Sequence, residues 1–262
     1  MLISYTHKFI FFHVPKSGGI SIREALKSYS QEPEKFKIKR PPKLIRGEPN
    51  PLYEVWEAAL IHAKASDVKK ELPANIFDKF YKFAFVRNPW DWQVSMYNFI
   101  LKEKTHVKHN MVKSMSFEEY LKWVIRTKKP FPKGAEKFQK DTITDKNGRL
   151  LVDFVGRYEN LNKDFQYVCD ILNIKAELPH LNKSVHKNYK TYYNKTSIDM
   201  IAKHFGQDID LFAYSFNFEP KNCKRPVAGY ARHRTRSYSE LLQVADNAAD
   251  SATGCSRRVR LF

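Results

Sequence analysis

A lysine, two glycines and two serines follow an apolar run near the start of the chain, in the segment Pro-Lys-Ser-Gly-Gly-Ile-Ser at 15–21. Glycines let a backbone curl so that successive N–H groups face one anion, and the positive end of a following helix adds to the attraction. Lys16 contributes a full charge, and Ser17 and Ser21 contribute hydroxyl donors. This segment therefore predicts a site for a phosphate or sulfate group.

The order of the residues excludes one common phosphate-binding loop. In a Walker A loop the lysine follows the glycines, whereas Lys16 precedes them. By itself, a surface lysine beside a Gly-Gly turn explains the segment about as well as an anion site does. A second feature is needed to decide between the two.

A second candidate anion site follows the apolar run at 81–86. Arg87 comes directly after this run, Asn88-Pro89 turns the chain, and Ser95 falls in the second turn of the helix predicted to begin there. An arginine fork and a hydroxyl can bind one anion from these two positions, although alone they are more simply an unspecialised arginine and serine. Both segments, however, follow predicted parallel strands, at the edge where α/β sheets bind nucleotides. Two separate cradles imply a nucleotide with an anionic group at each end.

Alternating strands and helices position these segments. Apolar runs predict buried strands at Lys8–Val14, Tyr81–Val86 and Leu150–Val155. Helical periodicity and capping signals predict helices within 22–29, 65–72, 90–102, 117–124, 165–172 and 198–205. This alternation indicates an α/β fold, and we predict a P-loop-like three-layer α/β/α domain around a central, mainly parallel sheet.

The charge of the chain indicates an anionic partner. The 262 residues include 46 Lys and Arg against 28 Asp and Glu, for a formal net charge of +18. Nucleotides, nucleic acid, acidic polymers and anionic membranes all fit such an excess. We assign 1–220 to one domain, within which the Lys- and Pro-rich stretch 31–52 is predicted to be an irregular insertion. Residues 221–262 form a basic tail, interpreted as poorly ordered or extraneous to the chemistry.

Cysteine usage and hydropathy indicate a soluble, cytoplasmic protein. Three cysteines without a C-x-x-C pair predict neither a disulfide framework nor a zinc site. The apolar run at 8–14 is too short to span a bilayer and lacks the layout of a signal peptide. No cluster of His, Cys and carboxylates has metal-ligand spacing, so we predict no metal.

Four segments carry a family resemblance. Phe11–Ser21 resembles the 5′-phosphosulfate-binding loop of sulfotransferases, and Phe83–Ser95 resembles their 3′-phosphate-binding segment. With Val155–Leu161 and Leu178–Ser184, the pattern is most similar to the carbohydrate sulfotransferase branch, which includes chondroitin, dermatan and heparan 2-O-sulfotransferases and bacterial relatives. The resemblance covers residues 8–218 and stops before the tail.

The resemblance implies a reaction and a co-substrate. The sulfuryl group of 3′-phosphoadenosine 5′-phosphosulfate (PAPS) would move to an acceptor hydroxyl by in-line displacement through a loose transition state. The acceptor is expected to be a carbohydrate or an acidic polymer. The resemblance implies no metal and no specific nucleic acid, and the oligomeric state is left undetermined.

Roles for individual residues follow from the same resemblance. The residues implied to bind PAPS are Pro15, Lys16, Ser17, Gly18, Gly19, Ile20, Ser21, Arg87, Ser95, Tyr158, Lys183 and Ser184. Lys16 would neutralise the oxygen that leaves sulfur, Arg87 and Ser95 would bind the 3′-phosphate, and Tyr158 would contact the adenine. Ser17 and Ile20 stand where the family usually has threonine, so Ile20 lacks one hydroxyl donor.

The acceptor hydroxyl needs a base, and His62 matches the histidine that the branch places between its two nucleotide motifs. A neutral imidazole near pH 7 suits this task. His13 is interpreted as an orienting residue at the strand end, and His180 and His186 are weaker candidates.

Other functions stay open at this point. A nucleotide kinase would share the architecture, but it requires a Walker A loop and an acidic magnesium ligand after a strand, and neither is found. A basic nucleic-acid-binding protein would explain the net charge, although no recognised motif is present. A non-catalytic relative that still binds nucleotide is compatible with the isoleucine at position 20.

Overall fold

The computed structural model describes residues 1–30, 44–49, 61–131, 135–179 and 187–219, which contain a sheet between two layers of helices. The strands are β1 (Leu2–Ser4), β2 (Phe9–Phe12), β3 (Leu44–Ile45), β4 (Glu48–Pro49), β5 (Tyr81–Val86) and β6 (Phe154–Arg157). The central sheet has the order β1-β2-β5-β6, and β3 and β4 form a separate hairpin. β1 runs antiparallel to β2, whereas β2, β5 and β6 are parallel.

Nine α-helices are found in the described residues. They are α1 (Gly19–Leu26), α2 (Ala65–Glu71), α3 (Ala74–Phe77), α4 (Pro89–Lys102), α5 (His109–Lys113), α6 (Phe117–Arg126), α7 (Leu161–Leu172), α8 (Lys195–His204) and α9 (Gly206–Phe212). Short 3₁₀ helices occur at Lys27–Tyr29, Gln139–Thr142, Tyr158–Asn160 and Tyr189–Tyr192. Asn88 caps α4 and Pro89 occupies its first turn, as expected for a residue without a free N–H. Ser116 and Glu119 form the predicted capping box of α6.

The two faces of the sheet have separate hydrophobic cores, because successive side chains of a strand point to opposite faces. On one face, Phe9 and Phe11 of β2 pack with residues of α1 and α7. On the other, Ile10 and Phe12 pack with residues of α2, α3 and α9. A third cluster joins α4, α5, α6 and α8 beside the sheet. Helices on both sides of a mainly parallel sheet confirm the predicted three-layer α/β class.

The central strand β5 has the predicted bounds, but two other strand predictions were wrong in extent. The predicted strand Lys8–Val14 is ordered as β2 only from Phe9 to Phe12. The strand predicted at Leu150–Val155 is displaced to Phe154–Arg157, because Leu150 instead pairs with Thr144 across a turn. The shift puts Gly156 inside the strand, where a side chain would overlap the ring of Phe85.

Two features of the described chain were not predicted. Strand β1 adds an antiparallel edge to the sheet through the backbone of Leu2–Ser4. Part of the stretch predicted to be irregular, 44–49, is a β-hairpin whose turn residues Arg46 and Gly47 both have positive φ. Two positive φ values are typical of the turn type that best matches strand twist. Most of 31–52 and the predicted tail 221–262 lie outside the described residues.

Hydropathy places no membrane span in the described ranges, since none of their helices is both long enough and apolar enough to cross a bilayer.

Candidate active site

The site lies at the edge of the sheet where β2 and β5 both end. Because these strands are parallel and paired, with Phe12 opposite Ala84, the segments that follow them emerge side by side. The Arg87 guanidinium donates from Nη1 to the backbone oxygen of Lys16 at 3.3 Å. The two candidate anion-binding segments, 71 residues apart in the chain, are therefore in direct contact.

The loop between β2 and α1 has alternating backbone handedness. Lys16 and Gly18 have φ values of 61° and 83°, while Ser17 between them is not in the positive-φ region. Backbones that alternate in this way direct neighbouring N–H groups into one concavity, the arrangement that binds anions in proteins. The helix α1 begins directly after it at Gly19, so its positive end faces the same place.

Gly19 is needed for space rather than for its φ angle. A Cβ atom built at this position would overlap the imidazole ring of His13. The histidine is buried at 5% exposure, so moving its ring would disturb closely packed neighbours. The second glycine of the motif is therefore required by the residue that directly follows β2.

The backbone oxygens of the loop are bound by the segment that follows β5. Trp92 of α4 donates from Nε1 to the oxygen of Pro15 at 2.7 Å, next to the Arg87–Lys16 contact. Ser17 donates its own hydroxyl to the oxygen of Val14 at 2.6 Å. Ser21 is buried on α1, and Ile20 is 54% exposed. These contacts hold the loop in its curled shape without using its N–H groups.

Arg87 is held on three sides. Its Nε donates to Asp91 Oδ2 at 2.7 Å, and its guanidinium carbon lies 4.0 Å from the centre of the Tyr158 ring. The third contact is the Lys16 oxygen. The arginine is 3% exposed, so its planar fork is fixed in one orientation before any ligand binds.

The main chain of Arg87 is bound by the side chain of Gln139. The arginine N–H donates to Gln139 Oε1 at 2.9 Å, and Gln139 Nε2 donates to the arginine oxygen at 2.7 Å. Asp208 in turn accepts from the backbone N–H groups of Gln139 and Lys140. Burial raises the pKa of Asp208 to about 7, although these two hydrogen bonds act in the opposite direction. The side-chain amide of Gln139 thus makes the two backbone hydrogen bonds that a neighbouring strand would otherwise make just after the end of β5.

Glu159, which lies just after β6, links that strand to the segment that follows β5. Its carboxylate accepts from the Asn88 N–H at 2.6 Å and from the Tyr214 hydroxyl at 2.8 Å. Burial raises the pKa of this carboxyl group, and the hydrogen bond from Asn88 partly offsets the effect. Glu159 belongs to the 3₁₀ helix that also carries Tyr158, so it fixes the position of that ring beside Arg87.

Two polar groups of the site have unfilled bonding capacity. Ser95 is 2% exposed, and its hydroxyl has no hydrogen-bond partner among the described residues. Buried hydroxyls without partners are uncommon, since leaving one unpaired costs about 1–3 kcal/mol. The Lys16 ammonium forms no ion pair with a carboxylate in the described part of the chain. Burial, followed by the charges of Arg87 and Lys102, lowers the pKa of Lys16 to about 8.

His62 lies next to His13, with ring centres 4.8 Å apart. His62 Nδ1 is 3.2 Å from the backbone oxygen of His13. A carbonyl oxygen only accepts, so Nδ1 carries the hydrogen and Nε2 keeps the lone pair. Burial lowers the pKa of His62 to about 4, against the effect of this hydrogen bond. The imidazole is therefore neutral at pH 7 with one nitrogen able to accept a proton.

Comparison with known proteins identifies the family. A family model described as "Sulfotransferase family" matches residues 1–215. The chain belongs to the sulfotransferase family. An uncharacterized protein of Archaeoglobus fulgidus is 28% identical over 126 residues, which cover 47% of this chain and 93% of that protein. A crystal structure of mouse sulfotransferase SULT7A1 complexed with PAP aligns with a TM-score of 0.36 and 15% identity, over 96% of this chain and 87% of the mouse chain.

Most of the site residues expected of a sulfotransferase lie in the described part of the chain. The structure brings 15–21, Arg87 and Tyr158 into one contiguous region, and His62 reaches it through His13. Ser95 lies on α4, the helix that Arg87 precedes. Lys183 and Ser184, with His180 and His186, lie outside the described residues.

Sequence reasoning missed further residues of this candidate site, among them Asp91, Gln139 and Phe99. Asp91 had a signal, since an acidic side chain in the first turn of a helix, four residues after the arginine, can turn back towards it. Gln139 had none, because it lies 52 residues from Arg87 in the chain. Phe99, whose ring is 4.5 Å from the Lys16 ammonium, looks in sequence like any apolar residue of a helix.

Proposed function

We propose that this sulfotransferase takes the sulfuryl group from PAPS and transfers it to a hydroxyl group of a carbohydrate. The observation that carries the proposal is the contact between Arg87 and the Lys16 backbone, because it joins two anion-binding segments into one elongated site. PAPS has anionic groups at both ends, a phosphosulfate and a 3′-phosphate. A nucleotide with one anionic end would leave one segment unused.

The residues present fit such a co-substrate. The concave backbone at 16–18 and the positive end of α1 suit the phosphosulfate. Arg87 donates from Nε to Asp91 and from Nη1 to the Lys16 backbone oxygen. A guanidinium carries five N–H donors, so further donors are left for a phosphate. The Ser95 hydroxyl, which has no partner in the described part of the chain, is proposed as a further donor for the same group. Tyr158, whose ring packs on Arg87, is proposed to contact the adenine.

The reaction needs a positive charge beside the oxygen that leaves sulfur and a proton acceptor beside the acceptor hydroxyl that attacks it. The acceptor oxygen forms a bond to sulfur while the sulfur–oxygen bond to the 5′-phosphate breaks, and the products are a sulfate ester and adenosine 3′,5′-bisphosphate. Lys16 stabilises the charge that develops on the departing oxygen. His62 accepts the proton of the acceptor hydroxyl at Nε2, while its Nδ1–H stays on the His13 oxygen.

The basic character of the chain supports an anionic acceptor. The formal charge of +18 exceeds what one nucleotide neutralises. Lys102 ends α4 and lowers the pKa of Lys16 by its charge, and Lys104 and Lys108 follow in the next segment of the chain. A sulfated or uronic-acid-containing sugar chain is the acceptor class that fits these lysines.

Thermal stabilisation tests the nucleotide part of the proposal. Adenosine 3′,5′-bisphosphate should raise the melting temperature by an amount that grows with the logarithm of its concentration above Kd, since a ligand that binds only the folded state stabilises it by about 2.7 kcal/mol at 100 times its Kd. ATP with magnesium and a single-stranded oligonucleotide serve as the comparison ligands. A larger shift with either of them would favour a kinase or a nucleic-acid-binding protein. Sulfate transfer from labelled PAPS to a panel of sugars then identifies the acceptor.

Replacing His62 with alanine should lower turnover at least about 10-fold while leaving the affinity for adenosine 3′,5′-bisphosphate unchanged. The pH profile of kcat/KM carries a further signature. With a base of pKa about 4 and an acid of pKa about 8, the free protein should be active between these values, and the variant should lose the acidic limb.

His109→Ala is the matched control for this experiment. His109 also has its Nδ1 close to a backbone oxygen, that of Ile100, at 3.0 Å, but it lies on α5. This variant should keep the wild-type profile. Wild-type turnover in His62→Ala would remove His62 from the mechanism.

A further inference from the structure

The ammonium of Lys16 lies over the ring of Phe99, 4.5 Å from its centre. Phe99 is on the last full turn of α4 and is 38% exposed. Its ring also meets that of His106 edge-on, with centres 5.9 Å apart. The second contact leaves the ring in a fixed orientation with one face towards the lysine.

The other charged groups that influence Lys16 are positive. Arg87 approaches from the end of β5 and Lys102 from the end of α4, and both lower the pKa of the lysine. The charge of Lys16 is in turn among the causes that lower the pKa of His13, which directly follows β2. Asp91 is engaged by Arg87 at 2.7 Å. Phe99 is therefore the described neighbour that favours the charged form of Lys16, since a ring face attracts a cation.

We propose that Phe99 is a positioning residue that holds the Lys16 ammonium at the mouth of the loop and keeps it charged for the reaction. The inference rests on the proposed function, in which Lys16 must be protonated to stabilise the leaving oxygen. A flexible lysine with two positive neighbours would otherwise turn into solvent or lose its proton. The ring prevents both without a carboxylate, and an anionic partner there would repel the phosphosulfate.

The test compares Phe99→Leu with Phe99→Tyr. Leucine keeps the apolar bulk and loses the ring face, whereas tyrosine keeps the face. Because Phe99 is partly exposed, both variants should fold. Val107→Ala is the control, since Val107 is a 71% exposed apolar residue of the following segment. The first readout is the pKa of Lys16, measured by ¹³C NMR as the pH is varied. The protein carries ¹³C-labelled lysine, and the Lys16 signal is assigned as the one that is absent from Lys16→Arg.

We expect Phe99→Leu to lower the pKa of Lys16 by about one unit, and Phe99→Tyr and Val107→Ala to leave it within a few tenths of a unit. The second readout is the alkaline limb of kcat/KM, which should move to lower pH by the same amount in Phe99→Leu only. An unchanged lysine titration would overturn the proposal, and so would a shifted titration with an unmoved alkaline limb.

The two proposals can fail separately. If the wild-type protein transfers no sulfate from PAPS, the proposed function is wrong and Phe99 positions no catalytic group. If it transfers sulfate and Phe99→Leu titrates and reacts like the wild type, only the role of Phe99 is wrong.

Discussion

Replacing Arg87 with alanine should weaken the binding of adenosine 3′,5′-bisphosphate at least about 10-fold, and that of adenosine 5′-monophosphate much less. The difference between the two ligands is the 3′-phosphate, so their affinity ratio isolates the contact made there. Some loss for the monophosphate is expected as well, because Arg87 also supports the Lys16 backbone. Isothermal titration calorimetry with both nucleotides measures the ratio.

Folding must be separated from binding in this experiment. Arg87→Ala leaves the Asp91 carboxylate without its partner, and an uncompensated buried charge typically costs about 3–5 kcal/mol. The double variant with Asp91→Asn removes that charge and should recover stability without recovering the affinity ratio. Arg126→Ala, an exposed position on α6, is the control for loss of one positive charge. An equal loss for both nucleotides in the double variant would contradict a 3′-phosphate contact.

Replacing Lys16 with alanine should reduce kcat at least about 10-fold, with a smaller effect on nucleotide binding. The reason is that the charge on the departing oxygen is largest in the transition state, so the ammonium contributes most there. Lys16→Arg should recover part of the rate, since it restores the charge with a different shape. Single-turnover measurements with labelled PAPS separate the chemical step from product release.

The Lys16→Ala variant should not be less stable than the wild type. The Lys16 ammonium is largely buried, carries no ion pair in the described part of the chain, and has a pKa lowered to about 8 by burial and by like charges. Removing such a group relieves a desolvation cost. We expect a melting temperature equal to that of the wild type or higher, with the exposed Lys129→Ala as reference. A large drop in both stability and rate would indicate that Lys16 serves the fold instead.

Local sequence signals predicted the parts of this fold that depend on local physics. The bounds of β5, the proline start of α4 and the capping box of α6 each follow from residues within one turn or one strand. The displacement of β6 could not be found this way. It depends on the bridge between Thr144 and Leu150, which pairs Leu150 across a turn and so keeps it out of the sheet.

In the candidate site too, local signals could be predicted from the sequence and contacts between distant parts of the chain could not. The segments at 15–21 and 87–95 carry residue types that suit anions, and the parallel-sheet prediction placed them at one edge. What sequence reasoning did not provide is the set of supports around Arg87. Gln139 and Tyr158 come from separate parts of the chain and contact it only in the folded state. Residues that orient a functional group have no motif of their own, because many side chains can donate or stack equally well.

A Cβ at position 19 and the imidazole at position 13 would occupy the same volume, so substitutions at these two positions are energetically coupled. Alanine at position 19 should cost more stability beside His13 than beside a small residue at position 13. The loop motif therefore extends back to His13, because the size of that side chain sets what position 19 can accommodate.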